Sequence, residues 1–486
     1  MQIPVPCKLR TTFNAACIVL LVTGCTVGPD YQRPAALASA AMPAAYAGTG
    51  ASKPGKWKPA QPSAHLSRGA WWQLYNDAEL NRLENLAASN NQQLATAYAN
   101  FQQARALVNV ARADAFPLFA TAPGITRQQT NGSLSGGNGT TLNSFSIPLD
   151  ASWELDLWGR VRREVEAAHA NLTAAADDLQ SAKLAVQAEV AIDYITLRAL
   201  EAQKKLLEET GKTYQRSLEL TQDRRAGGIA TDYDVSLAET QLKSTEAQVP
   251  AVTLQRAKLM HALATLCGQP ATNFSVKPAT TSPPSTPAIP AGVPSELLER
   301  RPDVAAAERR MAAANATVGV ANAAFYPRVT LSGSGGIQAT AASRLFNGSS
   351  RLWSVGPALN LPVFTGGRNT ANLAAARASY EATVANYRQT VLGAFQDVED
   401  QLAAQHLLAQ QLAAESAALK SARRTLEISN TRYQGGVLTY LDVATAQSSA
   451  LAHEMTVVQL SANRVAASVA LIKALGAGWH AVGNNP

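Results

Sequence analysis

Two periodicities divide this chain. Phe145, Ile147, Leu149, Ala151, Trp153, Leu155 and Leu157 alternate with Ser146, Pro148, Asp150, Ser152, Glu154 and Asp156. Trp353, Val355, Pro357, Leu359, Leu361 and Val363 follow the same two-residue spacing. Successive side chains of a strand point to opposite faces, so each stretch predicts a strand with one apolar and one wet face. PLFATAPGITRQQ (117–129) and PRVTLSGSGGIQA (327–339) supply their partners, which makes two hairpins and four strands. Elsewhere the spacing is helical. Tyr380, Val384, Tyr387, Val391, Phe395, Val398 and Leu402 lie 4, 3, 4, 4, 3 and 4 residues apart. That eleven-residue period, about 3.67 residues per turn, predicts packing with little left-handed supercoil. The helix it belongs to spans Arg368 to Gln434, a rod of about 100 Å at 1.5 Å per residue.

The same order of elements is written twice. RRAGGIATDYDV (224–235) matches RYQGGVLTYLDV (432–443) at an offset of 208, and VARADAFP (110–117) matches VANAAFYP (320–327) at 210. Each copy runs from a helical segment (Glu79–Ala115, Asp303–Ala324) through a hairpin into a long helix, a Gly-Gly break and another helix. The expected boundaries are a removed leader (1–24), an N-terminal segment (25–75), repeat one (76–270), a Pro-rich linker (271–294), repeat two (295–475) and a tail (476–486). At each break Arg224 or Arg432 suits the negative end of the helix dipole, and a following glycine suits a left-handed cap. Thr231 and Thr439 then open the next helices, with Asp234 and Asp442 at the capping-box position.

Composition changes the picture at three points. Charged residues are 16% of the 486, below the average of about 25%, as suits long, closely packed helices. The net charge of +7 comes without a Lys/Arg run, so there is no nucleic-acid footprint. Lys8 and Arg10 precede the apolar run Phe13–Val22, which is too short to span a membrane and ends in VTGC. This reads as a lipoprotein signal with Cys25 as acyl acceptor, and Thr26 in place of Asp favours delivery to the outer membrane. The mature chain then keeps only Cys25 and Cys267, so no disulfide framework exists, and Cys267 is expected to be a small buried apolar residue.

No constellation for catalysis or metal binding stands out. The six histidines are scattered, the five methionines do not cluster, and no nucleotide, hydrolase or zinc-protease motif occurs. GSGG (333–336) lies in an expected strand, where close backbone approach explains it better than a phosphate loop. Alternation alone fits a soluble two-layer sheet as well as a membrane strand; the lipid signal and the long rods favour the membrane. Four strands cannot close, and lipid forbids an open edge, so the chain is expected to oligomerise, three copies giving twelve strands.

VTGCTVGPDYQRP, WWQLYNDAELNRLENLAASNNQQLATAYANFQQAR, WELDLWGRVR, LLERRPDVAAAERRMAAANATVGVANAAFYP, FTGGR and the two Gly-Gly stretches resemble the TolC-like outer-membrane factors, of the lipidated OprM kind. The resemblance implies an α+β membrane protein. Three protomers would form a twelve-stranded outer-membrane β-barrel, continued by a periplasmic α-helical barrel and belted by the linker and chain ends. It implies an exit duct for small molecules, working with a periplasmic adaptor and an inner-membrane pump, with a covalent lipid on Cys25 and no cofactor. In that pattern Asp442 rings the pore entrance, Asp234 and Tyr433 link the tips, and Asp232, Arg224 and Arg432 belong to the same gate set. Gly227, Gly228, Gly435 and Gly436 face the adaptor. Leu438 stands where some members carry a basic tie, Thr445 where a second acid could stand, and Asp232 is answered by Tyr440. A type I secretion duct and a structural surface lipoprotein are the competing readings.

Overall fold

The computed structural model describes residues 26–37, 69–129, 140–277, 286–287 and 300–477. Cys25, the leader, most of the Pro-rich linker and the last nine residues lie outside the described residues. Two compact units emerge: one comprises 26–35, 100–129, 140–176 and 306–387, the other the remaining described residues.

The first unit holds the sheet. Its strands are β1 (Leu118–Ala120), β2 (Gly124–Gln129), β3 (Thr141–Leu155), β4 (Arg328–Ala339) and β5 (Arg351–Asn360). The antiparallel order is β1-β3-β4-β5, with β2 also on β3. The first expected strand is therefore in two pieces, interrupted around Pro123, whose ring removes a ladder donor. Register aligns like with like. Leu149 faces Gly335, which faces Trp353, and Leu155 faces Val329, which faces Leu359. On the opposite face Asp150 faces Ser334, which faces Ser354, and Ser152 faces Ser332. The apolar face lies open, with Trp353 81% and Leu359 68% exposed. Gly336 is the close approach expected of GSGG: a Cβ there would stand 2.4 Å from the carbonyl oxygen of Ile147.

Residues 26–33 pack on the helices of this unit. Val27 donates its N–H to the Trp158 carbonyl at 3.0 Å, and Asn315 Nδ2 donates to the Pro29 carbonyl at 3.0 Å. The buried Arg163 pairs with Asp30 at 2.8 Å, and Arg33 reaches the buried Glu308 at 3.1 Å. The N-terminal segment thus supplies Asp30 as a second counter-charge for Arg163, beside Glu166 of its own helix at 2.8 Å, and Arg33 as one for Glu308.

The helices are α1 (Ala78–Asn90), α2 (Gln92–Ala113), α3 (Arg160–Ala226), α4 (Asp232–Leu266), α5 (Pro302–Ala323), α6 (Arg368–Gln434) and α7 (Tyr440–Ala474). α6 has the expected bounds, and its eleven-residue stripe is buried or half-buried throughout. α3 is equally long, at 67 residues. The single helix expected over Glu79–Ala115 is broken at Asn91, which is extended (φ −65°, ψ 124°). The cause is tertiary: Asn91 Oδ1 accepts the Leu94 N–H at 3.0 Å while Nδ2 donates to the last carbonyl of α4, Leu266, at 2.8 Å. Arg301 repeats this duty in the second copy, donating to the Ala474 carbonyl at the end of α7 at 3.3 Å.

The core of the second unit gathers Trp71, Tyr75, Leu80 and Leu83 with Tyr194 and Val190 of α3, Leu263 of α4 and Val469 of α7. Cys267 is fully buried there, its thiol aimed at the Leu83 carbonyl. Burial pushes that thiol up to about 11, so it behaves as the apolar residue expected of it.

Candidate functional site

Both Gly-Gly breaks form the same turn. Ile229 N–H donates to the Arg224 carbonyl at 2.8 Å and Gly228 N–H to the Arg225 carbonyl at 2.9 Å; Val437 and Gly436 do the same to Arg432 and Tyr433 at 2.9 and 3.0 Å. This six-to-one, five-to-two pattern is a Schellman cap, which needs a left-handed residue. Gly228 and Gly436 supply it, at φ +73° and +75°. No atom approaches the Cβ position of either glycine, so both turns present open backbone.

The helices that follow start alike. Thr231 N–H and hydroxyl donate to Asp234 Oδ2 at 2.9 and 2.8 Å, and Asp234 N–H donates back to Thr231 Oγ1 at 3.2 Å. Thr439 N–H and hydroxyl donate to Asp442 Oδ2 at 3.0 and 2.7 Å. Each carboxylate therefore caps its helix through one oxygen. Asp442 is exposed and Asp234 half-buried, so each keeps a second oxygen for other contacts.

The gate set expected from the sequence is only partly gathered within the chain. Tyr433 is buried, with its ring 4.6 Å from the Arg224 guanidinium carbon and its hydroxyl 3.4 Å from Thr221 Oγ1. Asp234 spends its described bonds on Thr231, and no hydrogen bond joins it to Tyr433 among the described residues of this single chain. Asp232 forms an ion pair with Arg225 on the surface. Arg432 is exposed and contributes its carbonyl to the cap.

One residue here is missed by motif reading. Tyr440, in the slot that Asp232 occupies in copy one, is 1% exposed and meets Tyr433 edge-on, centroids 5.6 Å apart at 66°. Around the pair close Tyr214 and Leu218 of α3, Ala238 and Leu242 of α4, and Val443 and Ala444 of α7. Burial, then the neighbouring Tyr433 and Tyr214, push the Tyr440 phenol up to about 12, so it stays neutral at any physiological pH. The usable signal was the mismatch itself, an aromatic where the other copy has an acid. Among the described residues no group of His, Cys, Asp and Glu is placed to hold a metal ion.

With the duplicated sheet, rods and tips described, the family follows. A family model described as "Outer membrane efflux protein" matches residues 83–269 and 293–477, one stretch per repeat and well over half the chain. This chain belongs to the outer membrane efflux protein family. It is 35% identical over 472 residues to the outer membrane protein OprJ of Pseudomonas aeruginosa, covering 96% of this chain and 95% of that one. It is 34% identical over 484 residues to the toluene efflux pump outer membrane protein TtgF of Pseudomonas putida, covering 98% and 99%. Among solved structures, the outer-membrane channel OprN superposes with a TM-score of 0.85 at 32% identity, over 94% of this chain and 100% of that chain. The protein is thus an α+β outer-membrane channel of this family and acts as the exit duct of an efflux system.

Proposed function

We propose that three copies of this chain assemble into a passive efflux duct, each contributing four strands to a twelve-stranded barrel and a pair of helical hairpins to the periplasmic tube. The observation that carries this is the sheet: its outer strands, β1/β2 and β5, have no further partner among the described strands, and its apolar face is open. A sheet with free edges does not survive in lipid, and four strands are too few to close, so copies must complete it. The molecules carried are small ones such as drugs or toxic compounds, delivered by an inner-membrane pump through a periplasmic adaptor that meets the open glycine turns at 227–228 and 435–436. A lipid on Cys25 holds the N-terminus at the membrane.

Asp442, an exposed residue that caps through one oxygen, is positioned in this reading to form a ring of three carboxylates at the entrance. The purified protein in planar bilayers should give channels, and its mass in detergent should be that of a trimer; silent bilayers or a monomeric mass end the duct reading. Asp442→Ala should raise conductance or weaken block by multivalent cations. Cys25→Ser should abolish labelling by a fatty-acid probe. A type I secretion duct shares this architecture, and accumulation of a protein rather than small molecules in cells lacking the gene would favour it.

A further inference from the structure

The open apolar face of the sheet changes character at one end. On β3 that face runs from Leu155 through Trp153, Ala151, Leu149 and Ile147 to Phe145, and Asn143 follows. Register carries the same face onto Ile125 and then Arg127 of β2, onto Val329, Leu331 and Ile337 of β4, and onto Leu359, Val355, Trp353 and then Arg351 of β5. The end with Leu155, Val329 and Leu359 is the one joined to α3, α5 and α6, so Arg127 and Arg351 stand at the opposite end. Each is the next position beyond its strand's last apolar residue on that face. Arg127 lies level with Asn143 and Arg351 with Ile147; the apolar boundary shifts in step, Ile125 lying level with Phe145 and Trp353 with Leu149. Tilted barrel strands are staggered in this way, so both arginines border one band. Between Phe145 and Leu155, at about 3.4 Å per residue and a tilt of about 40°, that band is about 26 Å tall, the height of the apolar belt on a membrane barrel.

The charge at this end is all of one sign. From Phe116 to Leu149 and from Val329 to Gly367 the sequence has no Asp, Glu, Lys or His, and its charged residues are Arg127, Arg344 and Arg351. Arg344 ends the turn Ala342–Arg344 between β4 and β5, where its carbonyl accepts Ser350 Oγ at 2.7 Å and the Asn347 N–H at 3.0 Å. All three arginines are exposed, and none has an ion-pair partner among the described residues.

We propose that this margin binds the phosphate groups of lipid headgroups in the outer leaflet, with Arg127 and Arg351 as direct ligands and Arg344 adding charge from the β4–β5 connection. The inference rests on the membrane-barrel reading of the preceding section, in which the helices extend into the periplasm and this end of the sheet faces outward. A guanidinium offers a planar fork that pairs with phosphate through two parallel hydrogen bonds. Its apolar stem can lie along the band while its head reaches the headgroup layer. Trp353, 81% exposed and one position inward of Arg351 on the same face, stands where indole rings anchor at a membrane interface. A soluble acidic protein is the poorer match, because Arg127 and Arg351 belong to the face that lipid covers.

The test uses the full-length protein, stripped of lipid in non-ionic detergent, with bound lipid counted by native mass spectrometry. The probes are a diphosphorylated glycolipid, lipid A, and the same glycolipid with its phosphates removed. The wild-type trimer should retain the diphosphorylated form about tenfold more tightly, and millimolar inorganic phosphate should leave it bound. Arg127→Gln and Arg351→Gln should each weaken that binding about fivefold, and together about twentyfold, with trimer mass and single-channel conductance unchanged. Equal retention of the two glycolipids, or a double variant that keeps the wild-type preference, overturns the proposal and leaves the duct intact. Displacement by inorganic phosphate overturns it in favour of a free-anion site, and displacement by soluble polyglutamate in favour of an acidic protein partner. A monomeric mass or silent bilayers for the wild type instead remove the barrel reading, and the lipid margin with it.

Discussion

The two hairpin tips of this protein share a backbone and differ in what fastens them. Each has the same Schellman glycine, the same threonine N-cap and the same aspartate three residues on. One position inside that frame diverges. Asp232 lies on the surface in an ion pair with Arg225, whereas Tyr440 lies inside an aromatic cluster fed by four helices. A duplicated sequence therefore specifies a duplicated fold through its glycines and caps, while the unmatched residue decides which tip is anchored. Exposed ion pairs are screened by salt and contribute little, whereas an enclosed ring gains apolar burial that salt does not screen. The anchored tip is also the one that bears Asp442.

The widest gap between the tips should appear on removing those two side chains. Tyr440→Ala is expected to destabilise its tip by about 3–5 kcal/mol, the usual cost of deleting a buried aromatic. Asp232→Ala should cost under about 1 kcal/mol. Hydrogen exchange of the amides in 433–446 and 225–238 reads each locally. Equal loss of protection at the two tips would mean that Tyr440 packs no more tightly than a surface residue, and the asymmetry would dissolve.

A further test sits in α1 of the first copy. Glu84 is fully buried, and neither carboxylate oxygen has a hydrogen-bond partner among the described residues. Burial alone pushes its pKa from the ordinary 4.5 up to about 9. Between those two values the folded chain holds a proton that the unfolded chain releases, so stability should fall as pH rises across that window. The slope approaches about 1.4 kcal/mol per pH unit. Its charge also reaches Cys267, which titrates higher still, and the Arg82 guanidinium beside that thiol is engaged by Glu79. Glu84→Gln cannot ionise and should flatten the decline. Apparent Tm in detergent, followed from pH 5 to 8.5, checks this: parallel curves for wild type and Glu84→Gln would show that the carboxylate is hydrated.

Most of the architecture was legible from local patterns. Period-two alternation located the strands, the eleven-residue stripe and the Gly-Gly break bounded α6, and Thr-x-x-Asp marked both helix starts. What escaped depends on distant partners. Asn91 breaks a helix without a glycine or proline because the end of α4 offers it a carbonyl, and nothing within Asn90–Gln92 announces that. Tyr440 reads as one more aromatic until α3 and α4 are seen around it. The interruption at Pro123 was visible in the sequence, and the apolar pattern of its flanks masked it.

The turns themselves test the shared part of the frame. Gly228→Ala and Gly436→Ala each force a side chain into the left-handed region with open space around it, so each should cost about 1–2 kcal/mol, and by similar amounts. A clear inequality in thermal or exchange measurements would mean that the tips differ in backbone as well as in anchorage.

The smallest expected effect separates capping from gating. Asp234→Ala and Asp442→Ala each lose a helix cap worth about 1 kcal/mol, so their losses of local protection should match. Capping alone then predicts matching conductance as well. A charged ring at the entrance predicts that only Asp442→Ala alters conductance and cation block, because Asp234 is half-buried and starts the other hairpin's second helix. If Asp234→Ala shifts conductance equally, the change reflects a loosened helix start rather than a lost charge, and Asp442 is a cap and nothing more. If the two variants match in exchange and diverge in conductance, the second oxygen of Asp442 faces the pore.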